Sequence, residues 1–226
     1  MRIDLATKIR AKSLIFQPLL MAVSLLLVGC PATTAPRYLT SPQTVSTQGA
    51  YVHAASGMVL PERVGPFARQ SVLRYDVDGR DISGGYLFGV GSERIVATVY
   101  VYPGPTLTSI GSPADVVASA KAKLTESEFR PRQDEILRFN PTAKLIEEHD
   151  VSRSEAGRIY VGKAATYELI GPFGNDKIPL TSRLYVYCFV DPEWAIEYRF
   201  SYPRQMNADA AIQQFIDDWS WRGGRP

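Results

Sequence analysis

Ile95-Val96-Ala97-Thr98-Val99-Tyr100-Val101-Tyr102 is the stretch on which the fold turns. It is almost wholly β-branched and aromatic, and neither parity carries a charge. A strand that must stay out of water on both faces belongs in the middle of a sheet, with a layer on each side. Pro103-Gly104-Pro105 ends it, because proline cannot donate to a ladder.

Toward the N-terminus, Gly91-Ser92 makes a turn into a strand over about residues 81–88. Asp78-Gly79 is a two-residue hairpin signal, and Val64 to Tyr75 before it reads as an entry turn plus a strand. Toward the C-terminus, Ser112-Pro113-Ala114-Asp115 reads as a helix start. Serine caps it, proline takes the first helical position and an acid the third. Val117, Ala120 and Leu124 follow at helical spacing. Pro131 predicts a break or kink, with a helical piece from Gln133 to Phe139 continuing as far as Asn140-Pro141.

Four strands follow, near 143–151, 157–170, 180–190 and 194–202, with residues 171–176 as the loop of a long hairpin. In the last strand Trp194, Ile196, Tyr198, Phe200 and Tyr202 share one face. Ala195, Glu197, Arg199 and Ser201 share the other. Asn207 is placed to cap a final helix, whose Ile212, Phe215, Ile216 and Trp219 form an apolar stripe.

The order β-β-β-α-β-β-β-β-α predicts an α+β fold. It is a single, mainly antiparallel sheet of about 6–7 strands with one long helix, kinked at Pro131, and a C-terminal helix packing on it. One helix per face covers the two-sided strands. This order resembles the PsbP-like fold of lumenal photosystem II subunits and their relatives. The resemblance is one of element order and implies no site residues.

Residues 1–29 are of another kind. Arg2, Lys8, Arg10 and Lys12 precede an apolar run from Ser13 to Val28, which ends in Leu27-Val28-Gly29-Cys30. Basic start, apolar core and small-residue end make a secretory signal. The run is shorter than the roughly 20 apolar residues of a membrane span. Leu27-Val28-Gly29-Cys30 resembles the lipobox of bacterial lipoproteins. That resemblance implies export and cleavage before Cys30. It also implies a diacylglycerol on the Cys30 sulfur and a palmitate-like chain on its amine. Two or three chains anchor stably where one holds only marginally. The position that sorts such proteins holds Pro31 rather than the aspartate that favours the inner membrane. The expected address is therefore the cell envelope, at the outer membrane facing the periplasm. Residues 30–55, rich in Pro, Thr and Ser, read as a flexible linker, and residues 56–226 as one globular domain.

The leader holds four of the 25 basic and one of the 23 acidic residues. The remainder is left with one excess negative charge, so no broad positive field points to nucleic acid or an anionic surface. With Cys30 acylated, Cys188 has no disulfide partner, and its apolar strand suits a buried thiol. His53 and His149 are the chain's two histidines and no CxxC occurs, so no zinc site of usual spacing is available. Residues 76–81 start like a calcium loop but place Arg80 and Asp81 where a ligand and a glycine are needed. Gly84-Gly85 and Gly89-Val90-Gly91 lack the following GK[ST], and serine-hydrolase motifs are missing. Glu126 with Glu128, Asp134 with Glu135, and Asp217 with Asp218 read as solvated acid pairs.

No catalytic residue, metal or cofactor is assigned. The expectation is a non-enzymatic envelope binding or assembly factor, with a hydrolase-class envelope enzyme as the alternative. The expected partners are the membrane, through lipid on Cys30, and an envelope protein, peptide or glycan. The candidate binding surface is aromatic. It comprises Phe173, flanked by Gly171, Pro172 and Gly174, together with Tyr100, Tyr102, Tyr198 and Tyr202. The competing expectation buries these rings under the helices.

Overall fold

The structure is a computed structural model and describes residues 37–91, 93–190 and 193–221. Cys30 and the leader lie outside the described residues. Four strands come before the predicted set: β1 (Tyr38–Thr44), β2 (Tyr51–Val52), β3 (Val59–Leu60) and β4 (Arg63–Val64). Then come β5 (Phe67–Asp76), β6 (Ile82–Val90), β7 (Glu93–Pro103) and helix α1 (Ala114–Phe139). The chain continues through β8 (Lys144–Glu155), β9 (Arg158–Phe173), β10 (Asp176–Val190), β11 (Trp194–Pro203) and helix α2 (Asp209–Asp218).

The main sheet runs β1-β5-β6-β7-β11-β10-β9-β8, with β4 also on β5. Every pairing in it is antiparallel. The α+β reading is right, but the sheet has 9 strands rather than 6–7, and β2 with β3 forms a separate ribbon. The two-sided strand β7 is central, as its composition requires, and joins two meanders through its pairing with β11.

Alternation then sorts the side chains. Val99 lies opposite Tyr198, and Val101 opposite Ile196. These belong to a core closed by Ile212, Phe215 and Trp219 at α2. The other parity puts Tyr102 and Ala195 with Phe129 and Ile136 of α1. Each helix therefore covers one face.

Several local expectations are corrected. Residues 38–44 are not linker but a strand paired with β5. Almost all are exposed, so no apolar face signals the strand; pairing with an otherwise open edge supplies its reason to form. Residues 51–60 are ordered as well. Buried His53 accepts from the Ser56 hydroxyl at Nδ1 (2.6 Å) and donates from Nε2 to the Gly79 carbonyl (2.8 Å).

Helix α1 runs unbroken through Pro131. The bracing comes from outside the helix. Arg130 makes a bidentate pair with Glu148 of β8, both contacts at 2.8 Å, and Gln133 donates to the same carboxylate at 3.0 Å. Lys163 of β9 meets Glu126 at 2.6 Å. The start of α1 is also bare: Pro113 precedes it with no side-chain cap.

The loop at 171–176 is a tight turn. β9 and β10 stay in register out to Phe173↔Asp176, leaving Gly174 (φ +70°) and Asn175 to reverse the chain. The first hairpin errs the other way, with five residues, 77–81, between β5 and β6.

Candidate functional site

The inward stripe of α1 is Ala118, Ala122, Thr125, Phe129, Gln133 and Ile136, at the three- and four-residue steps of a helix face. Its C-terminal half is large. Phe129 and Ile136 are buried against Ala165, Tyr167, Leu184 and Val186 of the sheet. Its N-terminal half is small, and there the helix does not fill the space above β9 and β10. A cleft of about 670 Å³ results, within the size range of small-molecule sites.

Ile159 and Val161 of β9 line this cleft and remain 75% and 56% exposed. They alternate with Tyr160, whose ring packs on the opposite face against Trp221 at 4.9 Å. The end of the cleft is formed by Cys188 and Phe189. Phe189 has φ +60° at the bulge where the β10–β11 register shifts between Tyr187 and Val190. Such a backbone costs on the order of 1–3 kcal/mol for a side-chain-bearing residue. It aims the ring beneath Lys121, whose Nζ lies 5.3 Å from the ring centroid. Burial pushes the Cys188 thiol up to about 12, against a contact with Thr125 that lowers it. Burial thus favours the neutral thiol, and Cys188 contributes wall rather than nucleophile.

A second cluster lies under the C-terminal half of α1. Glu197 of β11 is fully buried. Its carboxylate accepts from Arg199 Nε, and Arg132 Nε stands 3.4 Å away. Arg199 also donates to Glu135 at 2.6 Å. Each guanidinium covers a tyrosine: Arg132 stands 4.7 Å from the Tyr102 ring and Arg199 5.2 Å from that of Tyr100. Burial drives the Glu197 carboxyl up, and the two arginines pull the other way. Asp81 borders the same cavity, of about 160 Å³. Burial raises its carboxyl to about 6 with Arg132 opposing. The arrangement ties α1 to the sheet by charge-assisted contacts and leaves Asp81 able to take up a proton. It presents no hydroxyl or thiol activated by a base.

The aromatic surface anticipated from sequence does not assemble. Tyr198 and Tyr202 are buried on the α2 face, and Tyr102 is buried on the α1 face. Tyr100, half-buried, packs against that second cluster. The sheet stands between the two pairs. Phe173 is 8% exposed; it packs with Leu169 and Leu180 and lies under the Arg94 guanidinium at 4.7 Å. Tyr102, Tyr198, Tyr202 and Phe173 are buried and Tyr100 packs half-buried beside them; for the tyrosines the physical reason is the two-layer cover that β7 demanded.

Of the acid pairs, Glu126 binds Lys163 and Arg130, and Glu135 binds Arg199. No group of three metal-type ligands occurs among the described residues, and none of their helices is long and apolar enough to cross a membrane. Cleft residues Ala118, Lys121, Ala122, Ile159 and Val161 were not singled out by sequence. One signal was present: Ile159-Tyr160-Val161 is apolar on both parities and needs cover on both faces.

The chain matches no protein-family model and no curated protein. The site therefore stands on its geometry.

Proposed function

We propose that this chain is a lipid-anchored protein of the bacterial cell envelope, held through Cys30 at the outer membrane and facing the periplasm. It works by binding in the cleft between α1 and β9–β10 rather than by catalysis. The observation that carries the binding reading is the exposure of Ile159 and Val161 inside a concave site. Apolar side chains left uncovered in a cleft of this size are the usual mark of a ligand or partner surface. The lipobox at residues 27–30 supports the anchor.

The test is a photo-crosslinking side chain at Val161 of the full chain, in cells. Expected is a discrete adduct with an envelope component, absent when the same side chain replaces exposed Leu145. Equal labelling from both positions overturns the cleft as the site. Intact mass of the membrane-extracted protein should show a chain beginning at a lipid-modified Cys30; an unmodified thiol or a retained Met1 overturns the anchor.

The competing reading is an envelope hydrolase using the Asp81 cavity. Its raised carboxyl beside Arg132 favours it. That reading requires Asp81→Asn to abolish turnover of an envelope substrate. The binding reading requires the same variant to leave the Val161 adduct intact.

A further inference from the structure

We infer that the cleft takes a single-chain anionic amphiphile of the fatty-acid class. Its acyl chain would lie along Ile159, Val161, Ala118 and Ala122, with its carboxylate at Lys121. This rests on the binding reading above and names its ligand.

Three observations converge on that chemistry. The walls are hydrocarbon: two exposed β-branched side chains face two alanines one helical turn apart. The charge is one-sided. Lys121 and Arg158 border the cleft and no acidic residue does, and of the two Lys121 stands over the apolar walls, since Arg158 shares the strand parity of Tyr160. Among the described residues neither is in an ion pair; Glu128 acts on the Cys188 thiol from nearby, and the other acids of this region are engaged elsewhere. Glu126 meets Lys163 and Arg130, Asp150 meets Lys163, and Glu155 meets Arg153 and the Trp221 amide. Lys121 has only the Phe189 ring beneath it. An ammonium on an aromatic face keeps donors free for an incoming anion. The third observation is volume. About 670 Å³ suits one flexible chain and is small for a two-chain lipid or a folded partner. The domain as a whole carries no broad basic field, so recognition is local to Lys121 and not a general attraction to anionic surfaces.

The probe is a diazirine-bearing hexadecanoate added to membranes containing the full chain, with its hexadecanol analogue as the uncharged control. After irradiation, label should concentrate in residues 118–125 and 159–161 and spare exposed Leu145 and Ile146. Unlabelled fatty acids should compete, weakening about two- to fourfold for each methylene removed. The alcohol analogue should label about tenfold less, as expected for a lost charge-assisted contact, and so should the acid probe on the Lys121→Glu variant. Val161→Trp, which fills the cleft, should abolish the label at an unchanged melting temperature. If that variant fails to fold, Ala122→Leu serves the same purpose from the helix side.

Label spread evenly over exposed apolar positions overturns the inference, as does equal labelling by acid and alcohol. A discrete protein adduct from position 161, without hexadecanoate labelling, overturns the fatty-acid ligand while leaving the binding function standing. Loss of both signals ends both.

Discussion

Asp81 and His53 show two opposite ways of burying a titratable group. His53 is satisfied as a neutral ring, accepting from Ser56 and donating to Gly79. Burial lowers its pKa because a charged ring would lose its hydration, while the Gly79 carbonyl pulls the other way. Asp81 has no such partner set. Its backbone amide donates to the Asp76 carboxylate at 3.1 Å, while burial lifts its own carboxyl from 3.8 to about 6. Between about pH 4 and 6 the folded protein keeps a proton that the unfolded chain has released. Stability from this residue therefore falls as pH rises through that window. Asp81→Asn should leave stability at pH 4 nearly unchanged. At pH 7 it should raise it by about 1 kcal/mol, a value discounted for the partial exposure of the group. Chemical denaturation of both proteins at the two pH values measures this. Lower stability of the variant at pH 7 would show that the Asp81 charge is used by Arg132.

At the scale of elements, the decisive one is the segment that sequence read as a linker. Arg69 of β5 donates to the carbonyls of Leu60 and Gly49, the latter at 2.6 Å, and Glu62 accepts from the Gly49 amide at 2.8 Å. With β1 on β5 and His53 on Gly79, residues 38–60 cover one end of the sheet. A chain lacking residues 37–55 should melt about 5–10 °C lower and aggregate through the open β5 edge. Limited proteolysis of the full chain should stall before residue 38. A stop near residue 55 with an unchanged melting temperature would restore the linker reading. The reason β1 was illegible is physical: Tyr38–Thr44 gains its strand from a neighbour, so no alternation is needed. Pro131 misled for a related reason, since burial of Phe129 and Ile136 on either side of it outweighs a local propensity. Where the residue pattern reflects its own burial, as in β7, β11 and α2, the elements were legible. The cleft was not, because Ala122 and Val161 look like ordinary helix and strand residues until nothing is found above them.

The whole molecule is closed at its other end by the chain that follows α2. Trp219 and Trp221 are buried, and Arg153 of β8 gathers them. It donates to the Trp219 carbonyl and, at 3.3 Å, to the Tyr198 hydroxyl, and its guanidinium lies 4.3 Å from the Trp221 ring. Trp221 Nε1 donates to the same hydroxyl at 2.5 Å. Strands β8 and β11 and the C-terminal tail thus meet at one buried polar knot, which explains why Tyr198 is conformationally committed rather than available at a surface. Removing the arginine leaves a buried carbonyl and a phenol short of donors. Arg153→Ala should cost about 2–4 kcal/mol and lower the melting temperature in a single transition, because the β7–β11 ladder joins the two meanders in one sheet. The sheet separates this knot from the cleft, although both use β9: Tyr160 faces Trp221, whereas Ile159 and Val161 line the cleft. Ladders to β8 and β10 hold the β9 backbone from both sides. Below its lowered melting temperature Arg153→Ala should therefore retain adduct formation from position 161. Loss of that adduct in a still-folded variant would mean that packing on the α2 face sets the shape of the cleft on the other.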